Sequence, residues 1–201
     1  MIKHPNQEQT LVLLKPDTVQ RSLIGEVISR FERVGLKCVG MKMVVPDQET
    51  LLKHYNKDDE WFLSKGTRIV EDLKSQGRPI DREPIEYGKD IIRTIVNYMT
   101  VAPVVAMVWE GNQAVAVVTK LVGTTEPTTS DVGTIRGDFT LDSYAHSSYE
   151  NRAVRNLIHC SESVEEADRE MALWFKPEEL NEYVTAQERI MYDINLDGTP
   201  D

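Results

Sequence analysis

The chain has few cysteines and no long apolar run. Its two cysteines, Cys38 and Cys160, form neither a framework of disulfide bridges nor a spaced Cys/His metal site, which suits a reducing cytoplasm. The longest apolar run, residues 104–109, is far too short to cross a bilayer. Residues 1–9 lack an apolar stretch, so we expect no secretory signal. These absences favour a cytoplasmic globular protein without membrane contact.

Positive charge is also scarce. The chain carries 23 Lys and Arg against 33 Asp and Glu, a formal net charge of −10. This balance argues against nucleic acid as a partner, because binding to a phosphate backbone relies on a broad basic surface. A few cations that converge locally could still bind a small polyanion. The length of 201 residues is expected to form one domain, residues 1–201, since nothing marks a linker.

Apolar spacing predicts alternating strands and helices. Strands are predicted over residues 10–14, 36–45, 102–109 and 157–158, and helices over 24–31, 47–55, 61–73, 91–96, 113–121 and 164–174. The helices are too few for a doubly wound sheet. A split β-α-β layout, with an antiparallel sheet covered on one face, fits better. The polar residues 140–152 are expected to form a surface loop.

His159 occupies a junction that suits a reactive side chain. Two apolar residues precede it, as at the end of a buried strand, and a helix is predicted to open at Ser163, which has capping-box spacing to Glu166. The N–H groups of a helix N-terminus favour an anionic substrate. A lone histidine beside an apolar run is nevertheless more often a packing residue. His4, His54 and His146 are interpreted as surface or packing residues.

Several motifs occur in one order along the chain. They are TLVLLKPD (10–17), PVVAMVWEG (103–111), GTIRGDF (133–139), NLIHCSES (156–163) and ALWFKPEEL (172–180). The sequence contains no P-loop and no protein-kinase catalytic loop. Together the motifs closely resemble the nucleoside diphosphate kinase family. The resemblance covers nearly the whole chain apart from two insertions, at roughly residues 64–91 and 141–152.

The resemblance implies a ferredoxin-like α+β domain that transfers the terminal phosphate of a nucleoside triphosphate to a nucleoside diphosphate. It implies a ping-pong route through a phosphohistidine on His159. It also implies Mg²⁺ held mainly through nucleotide phosphates and water, and a homo-oligomer, either a hexamer or a tetramer. Glu170 would accept the proton of the ring nitrogen that does not attack, and Ser161 would buttress Glu170. The alternative is a catalytically weakened nucleotide-binding or scaffolding member.

The resemblance also implies how nucleotide is bound. Lys15 and Arg136 would neutralise phosphate oxygens, the lysine as a point charge and the arginine as a fork. Tyr55 would place its hydroxyl near the transferred phosphate. Thr125 would donate to a phosphate, and Asn156 would hold the sugar hydroxyls.

The chain departs from the family pattern at several positions. Thr119 stands where the family usually has a second phosphate-binding arginine, so Lys120 or a cation of the insertion would replace it; the candidates there are Arg68, Arg78 and Arg82. The residue that stacks on the base stays open among Trp61, Phe62 and Ile92. We hypothesise that the first insertion enlarges the lid of the nucleotide site; the alternative is a peripheral decoration or a subunit contact. Cys160 replaces the usual small residue after the histidine.

Overall fold

The fold is built on four strands that form one antiparallel sheet. A computed structural model describes residues 6–197. The strands are β1 (Gln7–Leu14), β2 (Lys37–Val44), β3 (Val104–Asn112) and β4 (Ile158–Cys160). Their order across the sheet is β2-β3-β1-β4, and every neighbouring pair is antiparallel. The predicted α+β class with an antiparallel sheet is confirmed.

Helices account for most of the remaining chain. They are α1 (Pro16–Gln20), α2 (Ile24–Arg33), α3 (Gln48–His54), α4 (Asp59–Ser75), α5 (Pro84–Met99), α6 (Ala114–Val122), α7 (Ile135–Phe139), α8 (Tyr144–Tyr149), α9 (Val164–Trp174) and α10 (Ala186–Met191). Within residues 6–197 no helix has the length and apolar character needed to span a membrane. Residues 140–152, expected as a loop, include α8, whose first turn is capped by Ser143.

The sheet is covered on both faces, so the expectation of one covered face is wrong. In the central strand β1, Leu11 and Leu13 pack into one cluster with residues of α3, α5 and α9. Val12 and Leu14 point the other way and pack with residues of α2 and α6. All four side chains are fully buried. A continuous apolar run, rather than strict alternation, is the pattern of a strand buried on both faces.

Residues 59–99 form a tight helical hairpin of α4 and α5. Gly66 and Gly88 allow the close approach of the two helices, because a Cβ at Gly66 would lie 1.6 Å from the carbonyl oxygen of Pro84. At Gly88 a Cβ would lie 2.0 Å from the carbonyl oxygen of Phe62. The far end of the hairpin has its own small apolar cluster, formed by Val70, Leu73 and Tyr87. The two helices therefore pack backbone to backbone at these glycines.

Helix α9 begins where the sequence predicts. The Ser163 hydroxyl accepts a hydrogen bond from the backbone N–H of Glu166 at 3.1 Å. The Glu166 carboxylate reaches back to the N–H of Glu162 at 2.9 Å, one residue before the expected partner. This capped start fixes the rotation of α9 and directs Glu170 inward, where it is 1% exposed.

Candidate active site

His159 lies in the middle of β4, with its backbone paired to Leu13 of β1. Its Nε2 lies 3.0 Å from Oε2 of Glu170, and its side chain is 19% exposed. Within residues 6–197 its Nδ1 makes no hydrogen bond. Burial, followed by the charge of Lys15, lowers the pKa of His159 to about 3. The ring is therefore neutral at physiological pH. With its proton on Nε2 directed at Glu170, the lone pair is on Nδ1.

Glu170 holds this ring from helix α9. Its Oε2 also accepts a hydrogen bond from the Ser161 hydroxyl at 2.7 Å, and Ser161 is fully buried. Burial raises the pKa of the Glu170 carboxyl above its ordinary value, although His54 and then the hydrogen bond from Ser161 act to lower it. The structure thus brings together the three residues to which the sequence assigns the chemistry of the imidazole.

Lys15 and Asn156 form a buried pair beside the histidine. Lys15 lies between β1 and α1, and its Nζ donates to Oδ1 of Asn156 at 2.6 Å. The Nδ2 of Asn156 donates to the carbonyl of Thr125 at 2.8 Å. Burial, followed by the nearby Arg136, lowers the pKa of Lys15 to about 8. The Asn156 amide thus ties the strand-end lysine to the loop that carries Thr125, and its predicted contact with sugar hydroxyls stays a prediction.

Arg136 is 7% exposed and is held by backbone carbonyls. Its Nε donates to Asn156 at 3.2 Å, and its Nη1 to Gly123 at 2.9 Å. Its Nη2 donates to Ile158 at 2.7 Å. A guanidinium has five N–H donors, and these bonds use three of them. One N–H on each terminal nitrogen is therefore left to bind a phosphate oxygen. Asp138, the nearest acid in sequence, instead pairs with Arg30. The charge of Arg136 is therefore not neutralised by that acid.

Two hydroxyl-bearing side chains border the same site. Tyr55 follows helix α3, and its ring centroid lies 6.0 Å from that of His159. Its hydroxyl is buried and has no hydrogen-bond partner within the described residues. Burial raises the pKa of Tyr55, which keeps the phenol neutral. Thr125 is exposed in the loop after α6. Tyr55 therefore has an unused donor beside the histidine, and the donor role of Thr125 stays a prediction.

The position of the missing arginine is filled by a short side chain. Thr119 lies on α6, and its side chain is exposed. Lys120 is exposed, and it lies about 200° around the helix from the buried Val118, which directs it away from the core. In the insertion, Arg82 pairs with Asp81 and Asp90. Lys120 and Arg82 are thus poor substitutes for the arginine.

The base-stacking candidates separate by burial. Ile92 is 7% exposed and belongs to the core cluster beneath α5. Trp61 and Phe62 lie in the first turn of α4, are partly buried, and meet edge to face at 5.6 Å. Because a base needs an accessible ring face, Trp61 and Phe62 remain the candidates.

Two nearby residues escaped the sequence interpretation. His54 is 2% exposed, and its ring lies 4.5 Å from that of His159. It is a packing residue, as expected, but it packs inside the site. Burial acts most on the pKa of both His159 and Glu170, and the positive charge of Lys57, an exposed residue after Tyr55, lowers both pKa values. Neither has a distinguishing sequence motif; the only available signal was the position of both beside Tyr55. His146 is exposed, and His4 lies outside the described residues.

A model of the family described as nucleoside diphosphate kinase matches residues 8–70 and 85–180. The chain belongs to the nucleoside diphosphate kinase family. The unmatched residues 71–84 lie inside the predicted insertion 64–91, and residues 141–152 lie inside the matched part. The family prediction made from the motifs is confirmed.

Relatives extend over most of the chain. The nucleoside diphosphate kinase of Pyrobaculum aerophilum is 45% identical over 182 residues, which cover 87% of this chain and 98% of that protein. That of Pyrococcus furiosus is 44% identical over 179 residues, covering 89% of each. The chain is a nucleoside diphosphate kinase, a nucleotide-binding transferase.

Solved structures of the family share the fold. The crystal structure of an NDP kinase from Pyrobaculum aerophilum has a TM-score of 0.82 and 44% identity, covering 88% of this chain and 100% of that chain. A nucleoside diphosphate kinase from Borrelia burgdorferi, a transition-state mimic with bound vanadate and ADP, has a TM-score of 0.75 and 34% identity. This match covers 92% of the present chain and 96% of the Borrelia burgdorferi chain.

Proposed function

We propose that this kinase transfers the γ-phosphate of ATP or another nucleoside triphosphate to a nucleoside diphosphate through a phosphohistidine on Nδ1 of His159. The observation that carries the assignment is the contact between Nε2 of His159 and Oε2 of Glu170, 3.0 Å long. It occupies one ring nitrogen and leaves the other as the nucleophile. Because donor and acceptor nucleotides use the same site in turn, the route is ping-pong and maintains nucleoside triphosphate pools.

The step is a balanced displacement at phosphorus. The Nδ1 lone pair of His159 forms a bond to the γ-phosphorus, the bond from that phosphorus to the β–γ bridging oxygen breaks, and the diphosphate leaves with the electron pair. The Nε2 proton stays in its hydrogen bond to Glu170, which stabilises the positive charge that develops on the ring. A second diphosphate attacks the phosphohistidine and reverses the displacement.

Phosphate oxygens would be met by three side chains. Lys15 and Arg136 supply positive charge, and Tyr55 supplies a hydroxyl with no partner in the described structure. Phosphoryl transfer needs positioning and charge compensation more than covalent assistance. Thr125 and Asn156 would contact a phosphate and the sugar. Trp61 or Phe62 would contact the base.

We infer that Mg²⁺ enters with the nucleotide rather than through a protein cage. Within residues 6–197 the one group of three side chains that could hold a metal is His54, His159 and Glu170. Two imidazoles and one carboxylate suit a softer ion, because Mg²⁺ prefers oxygen ligands and keeps several waters. When bound to the phosphates, Mg²⁺ neutralises part of their charge. Lys15 and Arg136 would bind the remaining phosphate oxygens.

Incubation with γ-labelled ATP tests the proposal. The wild-type protein is expected to take up acid-labile, alkali-stable label that GDP removes as labelled GTP, and His159→Ala is expected to take up none. Label on His159→Ala would contradict the assignment of the nucleophile. Nucleotide binding without label on the wild type would instead support the scaffolding alternative, which rests on the missing arginine at Thr119 and on the two insertions.

The finer architecture is part of the same proposal. The strand order β2-β3-β1-β4 supports a ferredoxin-like core. The chain adds two insertions to this core. The hairpin of α4 and α5 forms a lid over the nucleotide site, and the segment 141–152 is the second insertion. Replacing residues 71–84 by a short glycine linker is expected to weaken ADP binding without unfolding the core. If this variant keeps the ADP affinity and turnover of the wild type, the first insertion is either a peripheral decoration or a subunit contact.

The cellular form is also proposed from the family. We expect a cytoplasmic homo-oligomer, either a hexamer or a tetramer, without membrane or nucleic-acid partners. Light scattering after gel filtration distinguishes the two assemblies, whose masses would be six or four times the 22.9 kDa of the chain. A monomer would contradict both.

A further inference from the structure

His54 is buried in direct contact with both members of the catalytic pair. Its ring packs edge to face against that of His159, with centroids 4.5 Å apart. Its Nδ1 lies 3.5 Å from Oε1 of Glu170, the carboxylate oxygen that does not hold His159. The side chain is 2% exposed, so it separates both groups from solvent on this side. His54 therefore forms part of the immediate surroundings of the nucleophile.

Trp174 fixes which ring nitrogen of His54 carries the proton. The indole Nε1 of Trp174 lies 3.2 Å from Nδ1 of His54. An indole N–H can only donate, so Nδ1 must be the acceptor and the ring proton must be on Nε2. That Nε2 is buried with no partner in the described structure. His54 is thus held as a neutral ring in one tautomer.

Because His54 is neutral, the Glu170 carboxylate can accept the hydrogen bond of His159 without competition. If Nδ1 of His54 carried a proton, it would compete for Oε1 of Glu170 from 3.5 Å and place a positive charge beside the attacking ring. The groups that act on His54 from the packed elements are His159, Glu170, Arg169 and Lys15. Burial, followed by His159, lowers its pKa well below the ordinary value, which agrees with the neutral ring.

We propose that His54 is a positioning residue for phosphoryl transfer: locked neutral by Trp174, it excludes water from His159 and Glu170 and keeps the Glu170 carboxylate on Nε2 of His159. The inference rests on the proposed role of His159. It predicts that His54 acts on the rate and pH dependence of phosphorylation and leaves nucleotide affinity unchanged.

The variant His54→Ala removes the ring and admits water. We expect the single-turnover rate of phosphorylation by ATP to fall by about tenfold or more, with the ATP concentration for half-maximal rate unchanged. Better hydration of His159 raises its pKa from about 3, so the rate of the variant should decline below about pH 6, whereas that of the wild type stays flat. His54→Asn keeps an acceptor for Trp174. It should therefore restore part of the phosphorylation rate and part of the rate below about pH 6.

A matched variant separates positioning from stability. Leu51 lies one turn earlier in α3, is fully buried and belongs to the core cluster. Leu51→Ala should lower the melting temperature as much as His54→Ala does, yet keep the rate of the wild type below about pH 6. Equal pH profiles for both variants and the wild type, measured where circular dichroism shows folded protein, would overturn the proposal for His54. Absence of label on the wild type would instead overturn the phosphohistidine itself.

Discussion

Nε2 of His159 and Oε2 of Glu170 lie 3.0 Å apart, although one residue belongs to an edge strand and the other to a helix. The contact depends on two local features. Pairing with β1 places the histidine, and the Ser163 cap sets the rotation of α9. Because Glu170 is 1% exposed, water competes little for its carboxylate. The pair therefore selects the ring tautomer before any nucleotide binds.

Glu170→Gln is expected to lower the phosphorylation rate by about 10² to 10⁴-fold, with little change in nucleotide affinity. A glutamine amide can donate to Nε2, which favours the tautomer with the proton on Nδ1 and removes the nucleophilic lone pair. Rapid-quench measurement of labelled protein reports this rate. Glu165→Gln, an exposed change on the same helix, serves as the control and should leave the rate unchanged. An unaffected rate in Glu170→Gln would refute the tautomer argument.

Alkaline pH should weaken catalysis through Lys15. Burial lowers its pKa to about 8, so the free enzyme loses this positive charge as the pH rises through that value. Because kcat/KM reports groups of the free enzyme, it should fall above about pH 8. Lys15→Arg keeps the charge at all accessible pH values and should move the fall to higher pH. An identical alkaline profile in both proteins would show that another group titrates.

The strands and the principal helices could be predicted because their signals are local. β1 is a continuous apolar run, and α9 starts at the predicted Ser163. The continuous run Leu11–Leu14 is the pattern of burial on both faces, but which helices cover each face is decided only by their packing in three dimensions. The short helix α8 depends on one cap, at Ser143, in an otherwise polar segment.

The site itself was predicted unevenly, for a physical reason. His159 and Lys15 belong to the motifs that carry the family resemblance, and that resemblance also assigned the role of Glu170. His54 acts through burial and contact, and these arise only when α3 packs against β4 and α9. The same holds for Asn156, whose bridge between Lys15 and Thr125 joins residues far apart in sequence.

Thr119→Arg should restore a second phosphate contact and tighten ADP binding. A charge-assisted hydrogen bond contributes about 1.5 to 3 kcal/mol, so the Kd is expected to fall by about tenfold or more. Thr119 lies on α6, which packs against β4, the strand that carries His159, so position 119 is near the site. Isothermal titration with ADP measures the change. Lys120→Arg is the control, and a similar gain there would indicate a general charge effect.

Gly66→Ala should destabilise the hairpin of α4 and α5. A Cβ at this position would lie 1.6 Å from the carbonyl oxygen of Pro84, so the helices must separate, at a cost of about 1 to 3 kcal/mol or more. Thermal unfolding followed by circular dichroism measures the loss. Gly25→Ala is the matched control in helix α2, because a Cβ there meets nothing within 4 Å. It should stabilise the protein by about 0.5 to 1 kcal/mol, since alanine favours a helix over glycine. If both variants shift the melting temperature in the same direction, close backbone contact does not hold the hairpin together.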